Sequence, residues 1–85
     1  MTYHTLIRQP AAVAGLIRIR ASDPATAKEV RSAVSALARV TDPPGSTALG
    51  SGGLRRLRLG SARILYEVDD TRHAVHVLTV GPVRG

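Results

Sequence analysis

Cysteine, tryptophan and phenylalanine are absent from this chain of 85 residues, and Tyr3 and Tyr66 are its only aromatic residues. Without cysteine the chain can form neither disulfides nor thiolate metal sites. The hydrophobic core must therefore be built from Leu, Ile, Val and Ala, and we expect it to be small. This length accommodates one domain, residues 1–85, and leaves no room for a second core.

Long apolar runs are also missing. No segment approaches the roughly 18–20 consecutive apolar residues that a membrane-spanning helix needs. The opening MTYHTLIRQ lacks the apolar stretch of a signal peptide. We therefore expect a cytoplasmic protein that has no membrane partner.

Positive charge is what the chain has in excess. The net charge is +6, and the basic residues are eleven arginines and the single Lys28. Such an excess favours a polyanionic partner, which can be RNA, DNA or an acidic protein segment. A bias of arginine over lysine is also typical of GC-rich coding, so a cluster of arginines carries more weight than an isolated one.

The first half of the chain predicts a short strand and two helices. Alternating residues within 1–9 indicate the strand. Pro10 suits the first turn of a helix that runs to about Ile19, with its apolar side chains on one face. Ser22, Asp23 and Pro24 are start signals for a second helix. The predicted apolar stripe of this second helix consists of Ala27, Val30, Val34, Leu37 and Ala38.

The second half predicts a loop followed by three strands. Residues 41–53 are rich in Pro, Gly and Ser and are interpreted as the loop. The strands are expected at about 54–60, 63–69 and 74–80. The resulting order β-α-α-β-β-β predicts an α+β fold, in which a two-helix hairpin packs on one face of a small, mostly antiparallel, four-stranded sheet.

The first two of these strands form a predicted hairpin that carries the densest group of arginines. Strand alternation places Leu57 and Leu59 on one face and Arg56 and Arg58 on the opposite face. If the apolar faces of both strands pack in the same core, Arg63, after the turn, lies on the same face as Arg56 and Arg58. Adjacent guanidinium groups repel one another, and arginine binds phosphate through paired N–H donors. The sequence therefore predicts that an anion binds on this face.

Other kinds of site find little support in the sequence. His4, His73 and His76 lie on different predicted elements without acidic companions, so we predict no metal site. No nucleophile elbow is present, and the glycine-rich segment 50–53 lacks the lysine of a P-loop. We accordingly expect no cofactor. Glu67 shares the face of the hairpin arginines and is a candidate general base, although an ion pair with a neighbouring arginine is the simpler interpretation.

The most specific motif runs from Leu57 to Asp70, LRLGSARILYEVDD, and is followed by VLTVG at residues 77–81. This succession of basic residue, glycine, arginine, tyrosine, acidic turn and closing Val-Gly resembles the RelE/ParE superfamily of toxin–antitoxin toxins. The segment at 42–54 and the two-helix hairpin are similar to the RelE branch. The resemblance extends over essentially the whole chain and implies a single RelE-like toxin domain.

The resemblance also implies an activity and its residues. RelE-like toxins cut mRNA in the ribosomal A site by driving a 2′-hydroxyl onto the adjacent phosphate. On that basis Arg58, Arg63 and Arg84 are predicted catalytic residues, and Arg55 and Arg56 are predicted RNA ligands. The predicted partners are a cognate antitoxin and mRNA on the ribosome, whereas DNA would be contacted only indirectly, through the antitoxin complex.

Two departures from the family pattern keep alternatives open. RelE-like members usually continue after the closing glycine with basic residues and a catalytic tyrosine or histidine, but Pro82 is followed only by Val-Arg-Gly. Arg56 and Arg58 also stand where the family often has lysine, and arginine is a poor base because it stays protonated. The alternatives are a ParE-like gyrase inhibitor without nuclease activity and a catalytically impaired homologue that only binds its antitoxin.

Overall fold

Two helices pack on one face of a five-stranded sheet in the computed structural model, which describes residues 3–82. The strands lie in the order β1-β5-β4-β3-β2; β1 is parallel to β5, and every other neighbouring pair is antiparallel. The predicted α+β class is confirmed. The elements are β1 (Thr5–Arg8), α1 (Pro10–Ser22), α2 (Pro24–Ala36), β2 (Ser46–Ala48), β3 (Leu54–Leu59), β4 (Ala62–Asp69) and β5 (Ala74–Pro82).

The sheet contains one strand more than the four predicted. The additional strand is β2, which lies within the segment 41–53 that the sequence predicts to be a loop. It forms the sheet edge and pairs antiparallel with β3. Ser-Thr-Ala has neither alternation nor large β-forming side chains, so the backbone of β3, rather than local propensity, determines this strand.

Asp23 separates the two helices. Its backbone N–H donates to the carbonyl of Ile19 at the end of α1, which therefore extends to Ser22 rather than to Ile19. Its carboxylate accepts hydrogen bonds from the hydroxyl (2.6 Å) and the backbone N–H (3.1 Å) of Thr26 in the first turn of α2. These hydrogen bonds hold the pKa of the Asp23 carboxyl below its ordinary value.

The buried face of α2 is the predicted one, since Ala27, Val30, Val34 and Leu37 are almost completely buried and Ala38 is half-buried. The helix itself ends at Ala36, so Leu37 and Ala38 of the predicted stripe lie in the turn that follows it. Each of the two helices has 13 residues, and no helix within residues 3–82 is long and apolar enough to cross a membrane.

The buried face of α1 differs from the expected one. Its buried residues are Ala12 and Gly15, whereas Val13 and Ile17 are 44% and 54% exposed. Small residues allow the helix to approach β5 closely: a Cβ atom added at Gly15 would lie only 1.9 Å from the carbonyl oxygen of Val80. Since the helix lies on the sheet through its small residues, Val13 and Ile17 are directed away from the core. Leu16 and Ile19, in contrast, are half-buried and pack against it.

A β-bulge in β5 keeps the core continuous. Tyr66 pairs with Val77, but its neighbour Leu65 pairs with Thr79, so β5 contains one extra residue, Leu78. The extra residue shifts the alternation so that Val80 joins Val77 among the buried side chains. The core is thus aliphatic apart from Tyr66, whose side chain is completely buried.

The contact of α1 with β5 predicts an unusual effect of Gly15→Ala. In most helices this change stabilises the fold by about 1 kcal/mol because alanine is the better helix former. Here the methyl group would collide with backbone, and overpacking of this kind costs about 1–3 kcal/mol. We therefore expect a lower midpoint in urea unfolding followed by circular dichroism.

Gly52→Ala is the matched control, because a Cβ atom at Gly52 meets no other atom within 4 Å. This variant should unfold within about 0.5 kcal/mol of the wild type. A Gly15→Ala protein as stable as the wild type, or more stable, would contradict the close helix–sheet contact.

Candidate nucleic-acid interface

The register of β3 and β4 places three arginines on the sheet face opposite the helices. Leu57 pairs with Ile64, and both side chains are buried beneath the helices. Arg58 pairs with Arg63 at the next position, so these two side chains share the other face with their Cβ atoms about 5 Å apart. Arg56 lies two residues along β3, about 7 Å from Arg58. Arg56, Arg58 and Arg63 are called the arginine face below.

The charges of the arginine face are not neutralised by the described part of the protein. The side chains of Arg58 and Arg63 are exposed, and Arg56 is half-buried. Within residues 3–82 no carboxylate forms a salt bridge with any of the three. The Nε atom of Arg56 is buried and has no hydrogen-bond partner among these residues. Guanidinium groups held together in this way can donate to the oxygen atoms of a phosphate.

A fourth arginine, which sequence reasoning missed, extends this region. Arg18 of α1 and Arg63 line the same depression of about 450 Å³ at the end of β5, next to Gly81 and Pro82. The two residues are 45 positions apart in the chain, and no strand or helix period connects them. Only the docking of α1 on β5 brings them together, so the sequence contains no direct signal for this pair.

Arg55, a predicted RNA ligand, does not belong to the arginine face. It alternates with Arg56 and lies opposite Tyr66, on the side of the sheet that the helices cover. There its Nε donates to the Oγ of Ser46 at 2.7 Å. The Tyr66 hydroxyl lies 3.0 Å from the same Oγ and donates to the carbonyl of Thr41 at 2.7 Å. The half-buried Arg55 thus holds the first residue of β2, and Tyr66 holds the segment before it.

Glu67 shares the face of the three arginines and lies diagonally across from Arg56, but it is remote from Arg58 and Arg63. It lies four residues beyond Arg63 in β4, a separation of about 13 Å, and it pairs with His76 of β5. Among the described residues it forms no ion pair with an arginine, so that simpler interpretation was wrong. The distance also argues against direct proton transfer to a phosphodiester bound between Arg58 and Arg63.

Two histidines and an aspartate form a separate cluster. His4 Nε2 lies 3.1 Å from the carboxylate of Asp70, and the His4 ring meets the ring of His73 edge-on at 5.6 Å. No group of three or more His, Asp or Glu residues within residues 3–82 is arranged to hold a metal ion. Arg84, the third predicted catalytic residue, lies outside the described residues.

Comparison with known proteins identifies relatives of this architecture. The sequence profile of a family described as ParE toxin of type II toxin–antitoxin system, parDE, matches residues 6–84. A comparison with curated proteins finds no significant match.

Solved structures resemble the chain over nearly its whole length. The RelBE2 toxin–antitoxin complex of Mycobacterium tuberculosis matches with a TM-score of 0.78 and 23% identity, covering 98% of this chain and 100% of that one. The RelE–RelB complex of Pyrococcus horikoshii matches with a TM-score of 0.79 and 23% identity, covering 96% of each chain. The Escherichia coli RelBE complex has a TM-score of 0.76 and 17% identity, covering 96% of this chain and 99% of that one. These likenesses show the fold.

The two sides of β3 predict opposite effects of removing an arginine. Arg58→Ala removes one of several neighbouring like charges from an exposed position, so we expect stability within about 0.5 kcal/mol of the wild type, or slightly higher. Arg55→Ala removes a half-buried hydrogen bond from a charged group and should cost about 1.5–3 kcal/mol. Urea unfolding of both variants at low ionic strength tests this difference. Equal losses would contradict the assignment of the two side chains to different faces.

Proposed function

Because the chain belongs to the RelE/ParE superfamily of type II toxin–antitoxin toxins, we propose that it is a ribosome-dependent mRNA endoribonuclease neutralised by a cognate antitoxin. The observation that carries the proposal is the cross-strand pair of Arg58 and Arg63, exposed on the uncovered sheet face without an acidic partner in residues 3–82. A pair of guanidinium groups on rigid strands matches the geometry of a phosphodiester.

In the proposed reaction the nucleophile belongs to the RNA itself. The 2′-hydroxyl oxygen bonds to the adjacent phosphorus, the bond from phosphorus to the 5′-oxygen breaks, and the products are a 2′,3′-cyclic phosphate and a 5′-hydroxyl. The proton of the 2′-hydroxyl is removed, and the departing 5′-oxygen gains one. Negative charge builds up on the phosphoryl oxygens in the transition state, and donors from Arg58 and Arg63 would stabilise it. Arg56 would bind the neighbouring phosphate.

Proton transfer is assigned to none of the described side chains. Arginine stays protonated and cannot serve as a base at neutral pH. Glu67 lies too far from the arginine pair to reach a phosphodiester bound there. Loss of one proton-transfer group typically costs about 10²–10⁴ in rate. The reaction proposed for this chain therefore depends on positioning and charge stabilisation, with Arg84 as the remaining candidate contributor.

The partners follow from the same charges. Relatives of this fold have been solved as complexes of a RelE toxin with RelB. A net charge of +6 suits an acidic antitoxin segment as well as mRNA. We propose that antitoxin and mRNA compete for this chain in the cytoplasm, and that DNA is reached only through the antitoxin.

A second candidate function has one specific observation in its favour. The matching family profile is described as a ParE toxin. A ParE-like toxin is the alternative that would inhibit gyrase instead of cutting mRNA. This alternative predicts a DNA-damage response and gyrase inhibition without mRNA cleavage. A homologue that only binds its antitoxin would be harmless when overproduced.

Arg63→Ala tests the nuclease proposal. Loss of one donor to the transition state should lower cleavage by about 10²–10³, and we expect growth arrest to disappear with it. Induced expression followed by primer extension on cellular mRNA measures both effects. The matched control is Arg72→Ala, since Arg72 is an exposed arginine in the β4–β5 turn, away from the arginine face. Growth arrest by the wild type without mRNA cleavage would rule the nuclease out.

The salt dependence of binding tests phosphate contact independently of catalysis. If the arginine face neutralises about three phosphates of a single strand, log K should fall against log salt with a slope of about −2. Fluorescence anisotropy with a short RNA methylated at its 2′-hydroxyls measures binding without cleavage. A response independent of salt would contradict phosphate contact.

A further inference from the structure

We propose that the solvent-facing side of α2 is a second RNA-binding surface, which contacts the phosphate backbone of structured ribosomal RNA while the arginine face holds the substrate strand. This inference rests on the proposed function, because it assigns a ribosomal contact to the same toxin. The surface consists of Lys28, Arg31, Ser32, Ser35 and Arg39, together with Tyr3, and is called the α2 surface below. These residues line one shallow depression of about 740 Å³.

Helical spacing aligns the basic side chains of the α2 surface. Three residues of α2 follow one another at intervals of three or four, Lys28, Arg31 and Ser35, and form a stripe about 10 Å long, measured along the helix axis. Arg39 lies in the turn directly after α2 and continues this stripe. All four are exposed. The stripe faces solvent, whereas Val30 and Val34 face the core, and its Arg31 also borders the apolar depression that these two valines line. It is therefore separated from the arginine face by both the helix layer and the sheet.

The positive charges of the stripe are not balanced by acidic residues at ion-pairing positions, as they typically are on a solvent-exposed helix. Glu29 is the only acidic residue between Pro24 and Arg39, and the positions three and four residues after it are Ser32 and Ala33. No i,i+4 ion pair can therefore form along the helix. Within residues 3–82 neither Lys28 nor Arg31 nor Arg39 forms a salt bridge. An external anion is the partner that these three cations lack.

The composition of the α2 surface favours RNA over an acidic protein segment. An amphipathic partner helix needs apolar side chains to pack against, but this depression contains no large aliphatic residue. It offers instead the hydroxyls of Ser32 and Ser35, which can donate to phosphate oxygens. Tyr3 adds a ring that is 58% exposed. In a chain with two aromatic residues, one is in the core and the other lies beside this stripe, where it can stack on a base.

Two basic surfaces on opposite sides of one small domain suit a cleft with RNA on both walls. A free single strand needs only the arginine face, whereas structured RNA that encloses the protein contacts α2 as well. Double-helical RNA is bound mainly through its backbone and shape, which is what a row of flexible cations with serine hydroxyls provides.

The test compares two variants of equal charge. Lys28→Gln, Arg31→Gln and Arg39→Gln are combined in an α2 variant, and Arg8→Gln, Arg20→Gln and Arg72→Gln in a control variant that loses three exposed arginines elsewhere. Circular dichroism and thermal unfolding establish that both are folded. Binding is measured over a range of salt concentrations to purified small ribosomal subunits and to the short RNA with methylated 2′-hydroxyls.

We expect the α2 variant to bind subunits at least about tenfold more weakly and to reduce the magnitude of the salt slope by about 3, one for each lost cation. Its affinity for the short single strand should match that of the control variant. Tyr3→Ala should also weaken subunit binding by about tenfold, and Tyr3→Phe should not, because stacking needs the ring and not the hydroxyl.

Several results would overturn the α2 surface. The first is that the α2 and control variants bind subunits equally well. The second is that the α2 variant loses as much affinity for the single strand as for subunits. The third is that the α2 variant loses binding to an acidic amphipathic helical peptide but not to subunits. The outcome is distinguishable from that of the nuclease proposal. If the α2 variant loses subunit binding but the wild type cleaves no mRNA, only this inference is supported. If the wild type cleaves mRNA but the α2 variant binds subunits as well as the control variant does, only the nuclease proposal is supported.

Discussion

The pairing register between β3 and β4 is the constraint on which the proposed function depends. Because side chains alternate along a strand, a shift by one residue would bury Arg58 and expose Leu57. Burial of Leu57 and Ile64 against the helices makes such a shift costly, and the completely buried Tyr66 fixes the same register further along. The hydrophobic core thus determines where the charges lie, although it shares no atom with the arginine face.

Repulsion between like charges lowers the stability of this fold, and no internal ion pair among the described residues offsets it at these clusters. Arginines lie opposite one another on β3 and β4, and within residues 3–82 the basic residues along α2 form no salt bridges. Like charges at such distances oppose folding slightly. In an 85-residue chain with an aliphatic core, stability is limited, and a bound polyanion would stabilise the folded state by mass action. Under the proposed function, the same external partners would therefore serve both activity and stability.

The features that follow a simple period were predictable from the sequence. Alternation along β3 and β4 identified the faces of Arg56, Arg58 and Arg63, and the 3.6-residue period identified the buried stripe of α2. The same alternation places Arg55 with the leucines of β3, so a consistent count would have separated it from the arginine face. The expected apolar face of α1 was only partly right: Leu16 packs against the core, but Val13 and Ile17 are exposed because the small Gly15 determines how that helix meets β5.

Features created by long-range contacts could not be read from the sequence. The strand β2 exists because β3 offers an edge, and Arg18 reaches the depression beside Arg63 because of helix docking. The parallel pairing of β1 with β5 is the longest of these contacts, since it joins the first strand to the last one. During synthesis β1 leaves the ribosome first but has no partner until β5 has followed it. The sheet is consequently completed only after β5 has been translated, so a nascent copy that still lacks β5 is not yet a folded toxin.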